Sequence, residues 1–213
     1  RKASGKLNII STEKSFHGRT LSTISATGSE KHKSQFKPLS PNHIIIPYND
    51  IEAVKENINN NTAAIIIEPI QGEGGINIPE DDYLSELSNI CKENNVYLII
   101  DEIQTGFFRT GPIFMSSEQN ISPDIITMGK GMAGGYPFGA FGLSDEIASK
   151  LSTGDHGGTF CGNPLGCAVS HDVIYYMVKS NIEENVTRAS KFAAEKLLDF
   201  KNEFPVIKDV RGK

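Results

Sequence analysis

The sequence predicts an α/β fold, a three-layer α/β/α sandwich built on a mostly parallel sheet. Three observations carry that expectation. Apolar runs of strand length alternate with segments whose apolar residues recur at helical spacing. Several of the runs, Ala63–Glu68 and Val96–Asp101 among them, are continuous rather than alternating, as in strands covered on both faces. Two of them also end in segments rich in charge and glycine, Asp101-Glu102-Ile103-Gln104-Thr105-Gly106 and Gly129-Lys130-Gly131. Open parallel sheets place ligand-binding groups at such carboxyl ends.

Taken in order, strands are expected at Asn8–Ser11, His43–Ile46, Ala63–Glu68, Val96–Asp101, Ile125–Met128 and Phe138–Leu143. Asp50 can cap a helix that carries Ile51, Val54 and Ile58, and the Asn-rich stretch Asn57–Asn61 is its exit. Tyr83, Leu84, Leu87, Ile90 and Cys91 form one apolar face of the next helix, which opens at Pro79-Glu80-Asp81. The final third reads as two helices. One runs from Asn163 to Lys179, with Pro164 suited to its first turn. The other carries the stripe Ile182, Val186, Ala189, Ala193, Leu197, Phe200 and Phe204 and must stop at Pro205. We read residues 1–180 as a large domain and 181–213 as a connector helix leading into a smaller one. The ends, Arg1 with no Met before it and a strand start at Val206–Val210 just before Lys213, read as those of a piece of a longer chain.

Composition narrows the function. The chain has 213 residues, 38% of them hydrophobic and 22% charged, with a net charge of −5, so one substantial core and a soluble globular protein are expected. Lys31-His32-Lys33 is too short a basic run for nucleic acid and reads as a solvated loop. No apolar run approaches the ~18 residues of a membrane span, and Arg1–Lys6 opens no signal peptide. The three cysteines, Cys91, Cys161 and Cys167, form neither a disulfide framework nor a zinc motif, which fits a reducing cytoplasmic setting. Cys91 falls on a core-facing helix side.

The chemistry concentrates at the strand ends. A lysine after a strand is commonly a surface residue. Lys130, however, sits between Gly129 and Gly131 and ahead of Gly134-Gly135, which let backbone or ligand approach closely. A partly desolvated amine there can bond to an aldehyde. Asp101 either caps the following turn or, buried, holds a pyridinium nitrogen protonated. That amine and that carboxylate are the minimum equipment for pyridoxal phosphate chemistry. Ile103 can then pack on a ring face and Gln104 can reach a ring hydroxyl. Of Glu68 and Glu73 in the glycine-rich segment after the third strand, one can bind backbone and the other can neutralise an arginine. Phe16-His17 reads either as core or as an aromatic platform, with Arg19 able to take a carboxylate in two hydrogen bonds. Thr159, close to a helix start, can bind phosphate.

Together, FHGRT, EPIQGEGG, DEIQTG, RTG, PDI-x-x-x-GK, GG-x-P and HGGT-x-x-GNP resemble the class-III aminotransferases of the fold-type-I pyridoxal phosphate enzymes, over essentially the whole chain. The resemblance implies that Lys130 anchors the cofactor and that Asp101 pairs with its ring nitrogen. It implies Gln104 at the ring hydroxyl, Phe16 and His17 at the cofactor, and Arg19 on a substrate carboxylate. Glu73 would be a gating acid that pairs with an arginine of the small domain. Thr159 would reach the phosphate held by a neighbouring subunit, which makes a homodimer the expected assembly. The family's Gly-Ser/Thr phosphate turn is expected before Arg1, and its carboxylate-binding arginine after Lys213. Phe108 stands where the family usually has glycine. The expected reaction moves an ω-amino group, most similar to that of N-acetylornithine, to 2-oxoglutarate. 4-Aminobutyrate and ornithine are the alternative donors, and an inactive fold-type-I fragment is the non-enzyme alternative.

Overall fold

The computed structural model describes residues 1–213. The six strands are β1 (Asn8–Thr12), β2 (His43–Ile46), β3 (Thr62–Ile67), β4 (Tyr97–Asp101), β5 (Ile125–Met128) and β6 (Ala140–Leu143). They form one sheet in the order β2-β1-β3-β4-β5-β6. Every neighbouring pair is parallel except β5–β6, where Ile125 faces Leu143 and Met128 faces Ala140 in antiparallel register. The antiparallel edge is what the short connection through Gly134-Gly135 permits, since a parallel return needs a dozen or more residues of crossover. The strand order reverses direction between β1 and β3, and such a switch point opens a crevice at the carboxyl edge.

Eight helices accompany the sheet: α1 (Leu21–Ala26), α2 (Glu30–Lys33), α3 (Ile51–Asn57), α4 (Tyr83–Glu93), α5 (Met115–Glu118), α6 (Asp145–Ser149), α7 (Pro164–Lys179) and α8 (Ile182–Glu203). Asp50 caps α3 by accepting the Ala53 N–H at 2.9 Å, and Asn163 caps α7 by accepting that of Gly166 at 2.7 Å. On one face, Val54 of α3 and Leu84, Leu87 and Cys91 of α4 pack against Ile10, Ile65, Ile67, Leu98 and Ile100 of the sheet. On the other face, α1 lies over β1 and β2, tied by the Ser11 hydroxyl donating to the Ala26 carbonyl at 2.5 Å. Val169, Ile174 and Met177 of α7 pack around Phe107, Met132 and Ala133. The expected three layers and mostly parallel sheet are therefore present.

Several local expectations need correction. Val206–Val210 is not a strand: no neighbouring strand pairs with it and Val206 is 82% exposed. Residues Lys31-His32-Lys33 are solvated but helical, within α2, because Ser29 leads into a turn that suits local i→i+4 bonding. The last strand begins at Ala140 rather than Phe138, whose side chain instead fills the space beside Gly166 of α7. Helix α4 starts at Tyr83, with Asp82 at its N-cap position but no side-chain cap, so Pro79-Glu80-Asp81 lies just before it rather than in its first turn. The stripe on α8 is helical as expected, but none of its residues is buried.

Leu87 is fully enclosed between α4 and the sheet, whereas Asn89 on the same helix is exposed. Leu87→Ala is expected to cost about 2–5 kcal/mol through lost contacts and a residual cavity. Asn89→Ala should stay within about 0.5 kcal/mol. Urea unfolding of both variants, followed by circular dichroism, checks the contrast.

Candidate active site

Four parallel strands deliver their carboxyl ends to one edge, and each contributes a segment there. After β1 come Phe16 and His17; after β3, Glu68 and Gly72; after β4, Asp101 to Gln104; after β5, Gly129 and Lys130. Asp101 is the junction. It is 6% exposed, and its register partner on β5 is Thr127. Its Oδ1 accepts the Thr127 hydroxyl at 2.9 Å and the Ile103 N–H at 3.2 Å. Its Oδ2 accepts from His17 Nδ1 at 2.8 Å. A carboxylate only accepts, so this contact assigns the proton to Nδ1. The His17 side chain is wholly buried and its Nε2 has no partner. Because β1 and β4 flank β3, the His17–Asp101 bond spans the switch point of the sheet.

Lys130 lies one strand over. It opens a short 3-10 turn, Lys130–Ala133, with its own backbone at φ +44°, a left-handed conformation uncommon for a side-chain-bearing residue. Such outliers persist where the surroundings over-determine them, and they cluster at functional sites. Gly134, at φ +59°, closes the turn. The Lys130 amine donates to Gln104 Oε1. Gln104 in turn lies so close to Gly72 that a Cβ there would sit 2.2 Å from its Nε2. Ile103 lines the Gly129 side, 3.6 Å from where a Cβ would stand. A cavity of about 510 Å³ opens beside these groups, lined by Gly72, Gln104, Arg109, Thr110, Lys130 and Arg211.

Glu68 shows why the third-strand acids differ. It is buried, and its carboxylate accepts the Phe16 N–H at 2.9 Å and the Gly72 N–H at 3.4 Å. Burial pushes its carboxyl above the usual range, against the pull of the Phe16 N–H and the nearby His17. It ties the β1 segment to the β3 segment. The Tyr48 hydroxyl fastens the same turn, donating to the Glu68 and Pro69 carbonyls at 3.1 and 3.0 Å.

His17 and Asp101 thus form one hydrogen-bonded pair and Gln104 and Lys130 another, at neighbouring strand ends, with the Ile103 N–H on Asp101. Phe16 is next to His17, its ring edge-on to His32 with centroids 5.3 Å apart. Arg19 is exposed and its guanidinium sits 5.7 Å from the Phe16 ring centre. Glu73 and Thr159 are not drawn in. Glu73 is exposed and borders a separate depression with Lys14, Ser29 and His32. Thr159 lies in the exposed turns between α6 and α7. One contributor was not singled out from the sequence. Thr127 reads as one more residue of an apolar strand, and only the β4–β5 register brings it to Asp101. Arg109, of the RTG motif, lines the cavity.

The comparisons with known proteins bear on the whole chain. Residues 1–213 match the family described as aminotransferase class III. The chain belongs to that family. Among curated class-III relatives, the acetylornithine aminotransferase of Methanothermobacter thermautotrophicus is 42% identical over 212 residues, covering 100% of this chain and 54% of the relative. The ornithine aminotransferase of Brevibacillus brevis is 44% identical over 96% of this chain and 51% of the relative. The crystal structure of the ornithine aminotransferase from Toxoplasma gondii superposes with a TM-score of 0.93 at 32% identity, covering 98% of this chain and 50% of that one. The chain therefore spans about half the length of the curated relatives it matches.

The donor set fits the cofactor this family implies. A carboxylate offers about four acceptor positions. Those of Asp101 hold three protein donors, leaving room for a protonated ring nitrogen. The Gln104 carboxamide follows the same strand and the Lys130 amine stands at the next strand end, and the missing side chain of Gly72 is what leaves room for Gln104.

His17→Phe keeps ring bulk but removes the donor to a buried carboxylate. An unsatisfied buried acceptor of this kind costs about 1–3 kcal/mol, so the variant is expected to be less stable by about that amount. Urea unfolding followed by circular dichroism checks it; unchanged stability would show that the His17–Asp101 contact is incidental.

Proposed function

We propose that the full-length protein is a pyridoxal phosphate-dependent transaminase that moves an ω-amino group, with N-acetylornithine as the preferred donor, to 2-oxoglutarate. The observation that carries this reading is the convergence of Lys130, Gln104 and the His17-braced Asp101 at neighbouring strand ends. When bound, pyridoxal phosphate supplies an aldehyde for the amine and a ring that takes up electrons as a substrate C–H bond breaks. The chain's own groups do the rest. The Lys130 amine would hold the cofactor and, when free, would serve as the general base that takes the proton from the substrate carbon. The buried Asp101 carboxylate would pair with a protonated ring nitrogen. Gln104, Ile103 and Phe16 would be the remaining groups that hold the ring, and His17 orients Asp101.

Arg19 is proposed to take a substrate carboxylate, since its guanidinium is exposed and carried beside Phe16. Glu73 is proposed as the acid that neutralises an arginine during one half-reaction. Thr159 is proposed to serve the phosphate site of a second subunit in a homodimer. The exposure of Phe160 and Leu165, at 81% and 61%, supports an interface at this segment. We further propose residues 1–180 as the large cofactor-binding domain and 181–213 as the connector to a smaller domain. The apolar residues that α8 leaves exposed, Phe192, Leu197 and Phe200 among them, support that division. Three free cysteines support a cytoplasmic setting. No helix is long and apolar enough to cross a membrane.

Ornithine is the second donor to consider, because relatives bearing that name match about as closely. Purified full-length protein, loaded with pyridoxal phosphate and offered N-acetylornithine, ornithine or 4-aminobutyrate with 2-oxoglutarate, decides among them by kcat/KM. Glutamate formation with none of the three would sink the donor class. Lys130→Ala is expected to abolish the yellow band near about 420 nm and to lower turnover by at least about 10³-fold. A variant that keeps both would show that another lysine anchors the cofactor.

A further inference from the structure

Asp101 and Glu102 are consecutive carboxylates at the end of β4, and their side chains leave the strand in opposite directions. Asp101 turns to His17 and Thr127. Glu102 turns away, is fully buried, and is taken up by neutral donors. One oxygen accepts the Ser116 N–H at 2.8 Å and the other accepts the Thr105 hydroxyl. Its own backbone carbonyl accepts the Gly106 N–H at 2.8 Å. A single side chain thereby ties the beginning and the end of the loop Thr105–Ser116.

That loop is strained and touches the lysine turn. Phe107 and Phe108 both hold left-handed backbone, at φ +54° and +66°, and both are buried. Non-glycine residues keep such conformations only when their surroundings hold them. Phe107 N–H donates to the Ile113 carbonyl at 2.6 Å, which closes the loop on itself. The Phe107 ring packs with Met132 and Ala133 of the turn that Lys130 opens. A Cβ at Gly131 would lie 3.5 Å from Phe107 Cβ, so the loop and the lysine turn are in direct contact.

We propose that Glu102 is a positioning residue: by clamping both ends of this loop it presses Phe107 on the Lys130–Ala133 turn and sets the placement of the Lys130 amine. The inference rests on the reading of Lys130 as the cofactor anchor. A purely local role is the competing account, in which Glu102 only caps α5 through Ser116 and the lysine turn is indifferent to it.

The test uses the full-length, cofactor-loaded enzyme and three variants. In Glu102→Ala, amide hydrogen exchange should quicken in Thr105–Ser116 and also in Gly129–Ala133. The pH midpoint of the cofactor absorbance should move by about half a unit or more, because the Lys130 amine is displaced from its partners. Turnover should fall about 10- to 100-fold, the penalty of a displaced catalytic group. KM for 2-oxoglutarate should change less, since Arg19 follows β1 and is not on this loop. Glu102→Gln can still accept from Ser116 and meet the Thr105 hydroxyl, so it should restore all three readouts to within about threefold of wild type. Faster exchange confined to Met115–Glu118, with an unmoved absorbance midpoint, would overturn the proposal in favour of the local cap. Glu102→Gln behaving like Glu102→Ala would overturn it by making charge, not the clamp, the essential feature. Should Glu102→Ala not fold, Thr105→Val releases one end only, and unchanged exchange at Gly129–Ala133 in that variant overturns the proposal. A wild-type protein that takes up no cofactor defeats the transaminase reading as well, whereas a loaded wild type matched by its variants defeats the positioning role alone.

Discussion

The carboxyl edge of this sheet is organised around one buried charge. Asp101 sits where burying an unpaired carboxylate would cost several kcal/mol, and it is tolerable only because donors come from three directions. His17 reaches it from the segment after β1, Thr127 from β5 and the Ile103 N–H from its own turn. Each hydrogen bond to a charged group contributes about 1.5–3 kcal/mol, so the three together hold the edge in register. The sheet order has to bring β1 and β5 within reach of β4, and the segment after β1 has to fold back across β3. Glu68, bound to the Phe16 and Gly72 N–H groups, is the strap that makes that fold-back rigid.

A second constraint is stored backbone strain. Lys130, Phe107 and Phe108 all carry positive φ, and none is glycine. The compensation is local packing. Phe107 lies among Met132, Ala133 and Phe114, with the two phenyl rings edge-to-face at 5.4 Å. A lysine on an ordinary helix would sweep a wide arc. Here the left-handed backbone sets the direction in which the Lys130 side chain leaves the chain, and Gln104 accepts from its exposed amine.

The departure at Phe108 illustrates how tertiary context overrides a local rule. Glycine suits a left-handed position, and the sequence puts phenylalanine there. Its ring is buried at 7% exposure beside Ile113 and the start of α8. Burying an aromatic ring returns about 1.5–3 kcal/mol, which offsets a left-handed penalty of order 1 kcal/mol.

Strand positions, the sheet's mainly parallel character and the placement of Asp101, Gln104 and Lys130 at adjacent strand ends were legible because they rest on local signals. Unbroken apolar runs mark strands covered on both faces, and glycine-flanked polar residues mark their exits. The apolar face of α4 and the cap Asp50 were readable for the same reason. The antiparallel turn of β6, the exposure of the α8 stripe and the failure of Val206–Val210 to form a strand were not, because pairing and burial need a neighbour and a sequence does not name one. So the chain alone determined which residues could do chemistry and that they lie at strand ends. Only the tertiary structure decided that Thr127 and His17 share Asp101, that Glu68 binds backbone while Glu73 faces solvent, and that Glu102 turns inward. Those outcomes depend on register and on crossing of the sheet, where a shift of one residue would send each side chain to the opposite face.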